Sequence, residues 1–199
     1  MKTKDQILKV ALKFFLQKGF YNVSMSMIAK ELRISKPAIY HHFNNKDAMV
    51  EGVLDYSTEK MEIWSENYFA NLDSGEDFIE RLFQAIPIYK NVELVLLNET
   101  VETYLYSYND LLIILSKYKP DLKLKISEYL KLRRQVFEKN IRRAQDEHFI
   151  RPDLQPSRLA KLIHTIIEGS AFICELDPSL KVNVISNEMY QVLRKLLER

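Results

Sequence analysis

Apolar side chains recur at helical spacing along almost the whole chain, and this periodicity restricts the fold more than any other feature. Near the N-terminus, Ile7, Val10 and Phe14 fall on one side of a helix, and lysines occupy positions between them. No stretch shows the period-two alternation that is typical of a half-buried strand. With only 4 glycines and 6 prolines, the chain also has few residues for tight turns. The sequence therefore predicts an all-α protein with about nine helices.

Capping signals divide the N-terminal region into short helices. Gly19 is a natural residue to end the first helix. Ser24, Ser35 and Asn45 each stand where an N-cap would begin the next one. Pro37 falls in the first turn of the third helix, where its missing N–H costs nothing. The predicted helices in this region cover residues 4–18, 25–32, 36–42 and 46–69.

Proline, glycine and aspartate mark the breaks in the remainder of the chain. Pro87 kinks or ends one helix, and the Lys119-Pro120-Asp121 break separates a short apolar piece at Leu111–Leu115 from a long helix that ends near residue 147. The other helices predicted beyond residue 70 cover residues 76–89, 92–106, 157–175 and 182–198.

Residues 24–43 carry the clearest functional pattern. A short helix, a tight turn at Arg33-Ile34 and a second short helix make a helix-turn-helix. The second helix leaves Lys36, Ala38 and His41 pointing outward, where the base edges of a major groove would lie. The spacing therefore predicts a surface that reads DNA sequence.

Side chains suited to the phosphate backbone surround this second helix. Tyr40 and His42 carry groups that donate to phosphate oxygens. Ser24 and Ser26 stand at one helix N-terminus and Lys46 at another, where backbone N–H groups favour anions. The alternatives are that Tyr40 is a core aromatic and that the two adjacent histidines are ordinary surface imidazoles.

Positive charge is concentrated in the same region. Residues 1–50 hold nine lysines and arginines against three acids, whereas the remainder holds 20 basic residues against 24 acidic ones. A basic head on a mildly acidic body is typical of a protein whose head meets a polyanion. The alternative is a solvated basic face with no partner.

Several ordered segments carry a resemblance to a known family. They are Ile7–Phe15, Lys18-Gly19-Phe20, Ser24–Ala29, Ile34–Phe43 and Asn45-Lys46-Asp47. Together they resemble the DNA-binding head of the TetR family of repressors. The resemblance implies a three-helix head, a fourth linking helix, and a divergent C-terminal region for ligand binding and dimerisation.

By this resemblance, the second helix of the helix-turn-helix is the recognition helix. The chain departs from the family in two places. Arg33 stands where the family usually has glycine, so the turn is strained or rearranged. Ala38 stands where the family often has threonine, which removes one hydroxyl contact. The candidate DNA-contacting residues are Ser24, Ser26, Ser35, Lys36, Pro37, Ala38, Tyr40, His41, His42 and Lys46.

We assign residues 1–48 to a DNA-binding domain and residues 49–199 to a ligand-binding and dimerisation domain. The last two predicted helices carry more apolar surface than one buried face needs. The resemblance implies that they pair with their copies in a four-helix dimer interface, and the alternative is ordinary core within one chain. The candidate interface residues are Ile166, Gly169, Ser170, Ile173, Met189, Val192, Leu193 and Leu196.

The middle of the chain is rich in aromatic side chains, which suit an apolar pocket with a few orienting hydrogen bonds. Polar residues on otherwise apolar helices could meet a ligand there, whether it is cationic, lipophilic or acidic. The alternative for each residue is ordinary structural packing. The candidate pocket residues are Trp64, Phe83, Glu99, Glu102, Tyr104, Phe137, His164 and Glu168.

No glycine-rich phosphate loop, nucleophile elbow or paired zinc-ligand spacing occurs, so the sequence predicts no catalytic residue, metal site or cofactor. The longest apolar run, Leu111–Leu115, is too short for a membrane span, and a single cysteine, Cys174, fits a reducing compartment. We expect a bacterial, cytoplasmic, nucleoid-associated homodimer that binds a palindromic operator, acts as a repressor and is released by a small-molecule effector. Two alternatives stay open: an architectural or protein-partnered DNA-binding factor without an inducer, and a helical enzyme with an attached head.

Overall fold

The computed structural model describes residues 4–70, 75–85, 87, 92–98 and 104–197 of the chain. These ranges hold ten α-helices and one 3-10 turn, Phe20–Asn22, and contain no strand, which confirms the all-α prediction. The helices are α1 (Lys4–Lys18), α2 (Met25–Glu31), α3 (Lys36–His42), α4 (Lys46–Ala70), α5 (Gly75–Gln84), α6 (Val92–Leu97), α7 (Tyr108–Tyr118), α8 (Pro120–Asp146), α9 (Pro156–Leu176) and α10 (Val182–Leu197).

The chain divides into two compact units. The first unit holds Met1–Trp64 and Glu93–Glu128, and the second holds Ser65–Val92 and Tyr129–Arg199. Helices α4 and α8 contribute residues to both units. The boundary that the sequence predicts after residue 48 therefore falls inside the first unit, within α4.

The capping signals fix the helix ends of the N-terminal region as predicted. The hydroxyl oxygens of Ser24 and Ser35 each accept a hydrogen bond from a backbone N–H three residues later, at 3.3 Å, and Asn45 Oδ1 accepts one at 2.8 Å. Gly19 follows α1 and has a φ of 81°, a backbone angle that residues other than glycine rarely adopt. A Cβ at Gly19 would also lie 2.9 Å from the ring of Tyr106. Both the backbone angle and the space at this position therefore favour glycine.

The helix predicted for residues 76–89 is interrupted, because α5 ends at Gln84 and Ala85 lies in a turn; Pro87 is again helical, and residues 86, 88 and 89 fall outside the described residues. Pro87 offers no N–H to the Phe83 carbonyl, and its ring would clash with that carbonyl if the helix continued. The Phe83 carbonyl instead accepts a hydrogen bond from the Ser186 hydroxyl of α10. The proline thus ends α5, and the carbonyl that loses its helical partner links α5 to α10.

The helix predicted for residues 92–106 is too long, and the following helix is missed. Helix α6 ends at Leu97, and Asn98 takes a left-handed conformation with a φ of 49°. Asparagine tolerates the left-handed conformation better than most residues. A residue in this conformation ends a helix. Helix α7 occupies the stretch predicted as a short apolar piece, and it begins at a capping box made by Ser107 and Asp110.

The three C-terminal helices lie within two residues of their predicted bounds. Leu122, Phe137 and Ile141 of α8 are buried, as the helical periodicity predicts. Cys174 is buried in α9 and free of any disulfide. Within the ranges described, the helices lack the combination of length and apolar character that crossing a membrane requires.

Candidate nucleic-acid interface

Helices α2 and α3 form the predicted helix-turn-helix. The backbone N–H groups of Arg33 and Ile34 donate to the carbonyls of Lys30 and Ala29, at 3.1 and 3.0 Å, and close the turn between the helices. Ile39 of α3 is fully buried and Ala29 of α2 is nearly so. Burying a side chain such as Ile39 contributes about 1.5–3 kcal/mol. This packing determines which face of α3 is left to solvent.

The outer face of α3 presents the side chains that the sequence assigns to base contacts. Lys36, Pro37 and His41 are exposed, and Ala38 is half-buried. Tyr40 is 41% exposed, so it is a surface residue rather than a core aromatic. An ammonium, an imidazole and a phenol therefore share one accessible surface, and each can donate hydrogen bonds.

The predicted phosphate-facing residues lie on α2 and α3 or at their caps. Ser24, Ser26 and Ser35 are exposed. The oxygens of Ser24 and Ser35 accept from the backbone, which leaves each hydroxyl proton able to donate. His42 is half-buried, and its ring centroid lies 5.6 Å from that of His41.

Lys46, the remaining candidate, has a structural role inside the first unit. Its ammonium donates to the Phe20 carbonyl at 2.6 Å and lies 4.2 Å from the centroid of the Phe20 ring. Burial lowers the pKa of Lys46, and the charge of Asp47 partly opposes this effect. Lys46 therefore ties the start of α4 to the 3-10 turn, and a role at phosphates would have to use its other ammonium protons.

The C-terminal end of α7 also holds the start of α4. The hydroxyl of Tyr118 donates to Asp47 Oδ1 at 2.8 Å, and the ammonium of Lys119 lies 3.2 Å from Asp47 Oδ2. These two hydrogen bonds lower the pKa of the Asp47 carboxyl. The Tyr118 ring packs edge-on against Phe20 at 4.8 Å. Helix α7 is thus attached to the start of α4 and to the 3-10 turn.

The turn between α2 and α3 contains a strained residue. Arg33 has a φ of 53°. A side chain in this left-handed conformation costs roughly 1–2 kcal/mol, which glycine avoids. The structure thus agrees with the expectation that a residue other than glycine strains this turn.

Arg33→Gly is expected to stabilise the protein by about 0.5 kcal/mol, because the relief of strain exceeds the entropy that glycine adds to the unfolded chain. Urea unfolding would show this as a higher midpoint. Lys30→Gly is the matched control, since Lys30 is an exposed residue inside α2, and there glycine should cost about 1 kcal/mol. A lower midpoint for both variants would show that Arg33 is not strained.

The candidate pocket residues form one cluster only in part. Phe137, His164 and Glu168 meet in the second unit, where the rings of Phe137 and His164 are 6.0 Å apart. Of the other candidates, Trp64 and Tyr104 belong to the first unit and are half-buried, Phe83 is buried in α5, and Glu99 and Glu102 fall outside the described residues.

Arg133, whose side chain is 14% exposed, completes this cluster. Arg133 Nη1 donates to Glu168 Oε1 at 2.8 Å, and His164 Nε2 lies 3.4 Å from the same oxygen. The Arg133 guanidinium also lies 5.8 Å from the ring centroid of Tyr129. Burial raises the pKa of Glu168, but the adjacent His164 imidazole and the charge and hydrogen bond of Arg133 outweigh it and bring the pKa to about 2.

Sequence reasoning missed Arg133, although its position carried a signal. Arg133 lies four residues from Tyr129 and four from Phe137, so it falls on the inner stripe of α8. A charged residue within an apolar stripe is almost never buried without a partner. That spacing could therefore have predicted a carboxylate opposite it.

Comparison with known proteins assigns the helix-turn-helix to a family. The sequence profile described as bacterial regulatory proteins, tetR family, matches residues 7–53. The uncharacterized HTH-type transcriptional regulator YuxN of Bacillus subtilis (strain 168) is 44% identical over 61 residues, which are 30% of this chain and 21% of YuxN. The HTH-type transcriptional regulator UidR of Escherichia coli (strain K12) is 34% identical over 58 residues, which are 29% of this chain and 30% of UidR. Residues 7–53, which include the helix-turn-helix, are therefore similar to the N-terminal region of TetR-family regulators.

The fold of the whole chain agrees with this assignment. A transcriptional regulator from Saccharomonospora viridis, solved in complex with choline, matches with a TM-score of 0.79 and 17% identity over 98% of each chain. The sequence matches, in contrast, span between a fifth and a third of the lengths of YuxN and UidR. The likeness over the whole chain is therefore one of fold, and the match to the family profile lies at residues 7–53.

An apolar face is exposed along α9 and α10 of the protomer. Ile173 is 51% exposed, Val192 59% and Leu196 60%. Gly169 faces open space, because a Cβ there would meet no atom within 4 Å. Ile166, Met189 and Leu193 are half-buried. Most of the residues predicted for the dimer interface are therefore accessible to a second copy.

Ser170 departs from this prediction, because it is buried inside the protomer. Its hydroxyl donates to the Ile166 carbonyl at 2.5 Å and lies 3.3 Å from the sulfur of Met189 on α10. A small hydroxyl residue suits this close contact between α9 and α10. Ser170 therefore packs the two helices of one protomer together.

Proposed function

We propose that this protein is a TetR-family repressor of transcription, that it binds a palindromic DNA operator as a homodimer, and that a small-molecule effector releases it. The observation that carries the proposal is the outward direction of Lys36 and His41 on α3. A lysine donates to the O6 and N7 atoms of guanine, and an imidazole donates or accepts at base edges. Each protomer would place α3 in a major groove, with the two copies about 34–36 Å apart.

The exposed face on α9 and α10 supports the dimer. Monomeric proteins rarely leave large apolar patches in water, and such patches mark interaction sites. A two-fold dimer would bury this face against its copy, and its symmetry would match a palindromic operator.

Release by an effector follows from linkage between two sites. A ligand that binds one conformer better than another shifts the population toward it, by no more than the difference between the two affinities. Helix α4 contributes residues to both compact units and is the proposed connection between effector and DNA. The choline in the S. viridis regulator supports a small molecule as the effector class. We place this activity in the cytoplasm, at the nucleoid.

Lys36→Ala and His41→Ala are each expected to weaken binding to a selected duplex by about 1–3 kcal/mol and to relax base preference at one position. Both residues are exposed, so folding should be unchanged. Tyr40→Phe removes a single hydroxyl and should weaken binding to selected and random duplexes alike. Fluorescence anisotropy at fixed salt measures these affinities.

Lys161→Ala is the control for charge loss, because Lys161 is exposed on α9 in the other unit. It should leave the ratio of specific to random affinity unchanged. If Lys36→Ala and His41→Ala each lowered the affinity for specific and random DNA equally, α3 would not be the element that recognises the base sequence.

A further inference from the structure

A groove of about 330 Å³ lies between α5 and α10 in the second unit, outside the arginine cluster. Its size is at the lower end of small-molecule pockets, which measure roughly 300–1,000 Å³. Aromatic residues and side-chain amides both line the groove, and together they favour one class of ligand.

Two aromatic rings form the floor of the groove. Phe83 is buried and Tyr190 is half-buried, with ring centroids 6.4 Å apart. The Phe83 backbone is fixed by the hydrogen bond from Ser186, and Arg194 donates to the Tyr190 hydroxyl at 3.2 Å. The Tyr190 ring is therefore held in place and offers an apolar surface to the C–H groups of a ligand, and Phe83, which is only 1% exposed, packs against it.

Side-chain amides form the rim. Asn183, Asn187 and Gln191 recur every four residues and so share one side of α10. All three are exposed, and among the described residues their amides make no hydrogen bond. Gln84 contributes a fourth amide from α5, and it donates to Glu80 Oε1 at 2.8 Å. Each amide can both donate and accept, so the rim can bind several hydroxyl groups at once.

The charge of the groove narrows the ligand class further. No lysine or arginine is among the described residues that line it, and Glu80 contributes a carboxylate. The Arg194 guanidinium lies beside the Tyr190 ring but already donates to the Tyr190 hydroxyl, so an anionic ligand would meet the Glu80 carboxylate and compete for a cation that is already engaged. A neutral ligand with adjacent hydroxyls and an apolar ring face matches both the amides and the aromatic floor.

We propose that this groove binds a neutral, cyclic polyhydroxylated compound, such as a monosaccharide, and that this compound is the effector. The identity of the compound as effector depends on the function proposed above. The groove stays open in the proposed dimer, because Asn187 and Gln191 lie on a different side of α10 from Met189 and Leu196.

Isothermal titration of the full chain with D-glucose, D-galactose, D-mannose and myo-inositol tests the proposal, with D-glucuronate and choline as charged probes. At least one neutral compound should bind, and Asn187→Ala and Gln191→Ala should each weaken that binding by about tenfold. Gln135→Ala, an exposed amide on α8 outside the groove, is the matched control and should leave binding unchanged. Because the rim residues are exposed, thermal unfolding should show the variants folded.

Failure of all four neutral compounds to bind would overturn the proposal, and so would tighter binding of glucuronate or choline than of any neutral compound. Equal effects of Gln135→Ala and Asn187→Ala would overturn it as well. DNA affinity is measured separately on the same preparation. If the protein binds its selected duplex but no polyol, only the proposed ligand site is refuted. If it binds a polyol but no duplex, only the proposed repressor function is refuted.

Discussion

Replacing both Ile173 and Leu196 with glutamate is expected to yield a folded monomer whose affinity for operator DNA is lower by about 100-fold or more. Both side chains are more than half exposed in the protomer, so charges at these positions should not unfold it. In the proposed dimer they would place like charges in an apolar interface. Loss of the dimer removes the second half-site contact, and with it the gain that two linked binding events provide.

Sedimentation velocity measures the oligomeric state, and anisotropy measures the operator affinity. Leu124→Glu is the matched control, since Leu124 is 66% exposed but lies outside α9 and α10. It should leave both the dimer and the affinity intact. A dimer that survives the double substitution would place the interface on another surface.

Glu168→Gln is expected to destabilise the protein by about 2 kcal/mol, because it removes the carboxylate charge that faces Arg133, whose side chain is only 14% exposed. Urea unfolding at neutral pH measures the loss. Glu138→Gln is the control, since its hydrogen bond to Arg142 is a helical surface pair and such pairs contribute only about 0.3–0.5 kcal/mol. The double variant Arg133→Met, Glu168→Leu should recover most of the stability, because apolar residues can replace a buried ion pair.

The same carboxylate predicts how stability changes with pH. The pKa of Glu168 is about 2 in the folded protein, below its ordinary value of 4.5. A depressed pKa means that the stabilisation is fully present above pH 4.5 and is lost as the pH falls toward 2. The free energy of unfolding of Glu168→Gln should accordingly change less with pH in that window. If the free energy of unfolding changed with pH in the same way in the original protein and in Glu168→Gln, Glu168 would not be the source of the pH dependence.

The N-terminal helices were predictable because their boundaries are set locally. Ser24, Ser35 and Asn45 each cap the helix that follows, and Gly19 alone fits the left-handed turn after α1. Such signals act within a few residues, so they can be read without knowing the rest of the fold.

The ends of α5 and α6 and the arginine cluster depend on contacts that the local sequence does not show. The early end of α5 leaves a carbonyl that Ser186 satisfies, and that serine is about a hundred residues away in the chain. The pairing of Arg133 with Glu168 joins two helices in the same way. Periodicity gives the inner side of each helix, but it does not give the partner across the interface.

The affinity of the full-length chain for a duplex selected from random DNA tests the central claim most directly. If α3 reads base edges, the selected duplex should be palindromic and should bind about a thousandfold more tightly than bulk DNA at the same salt concentration. Equal affinity for the selected duplex and for bulk DNA would contradict the account.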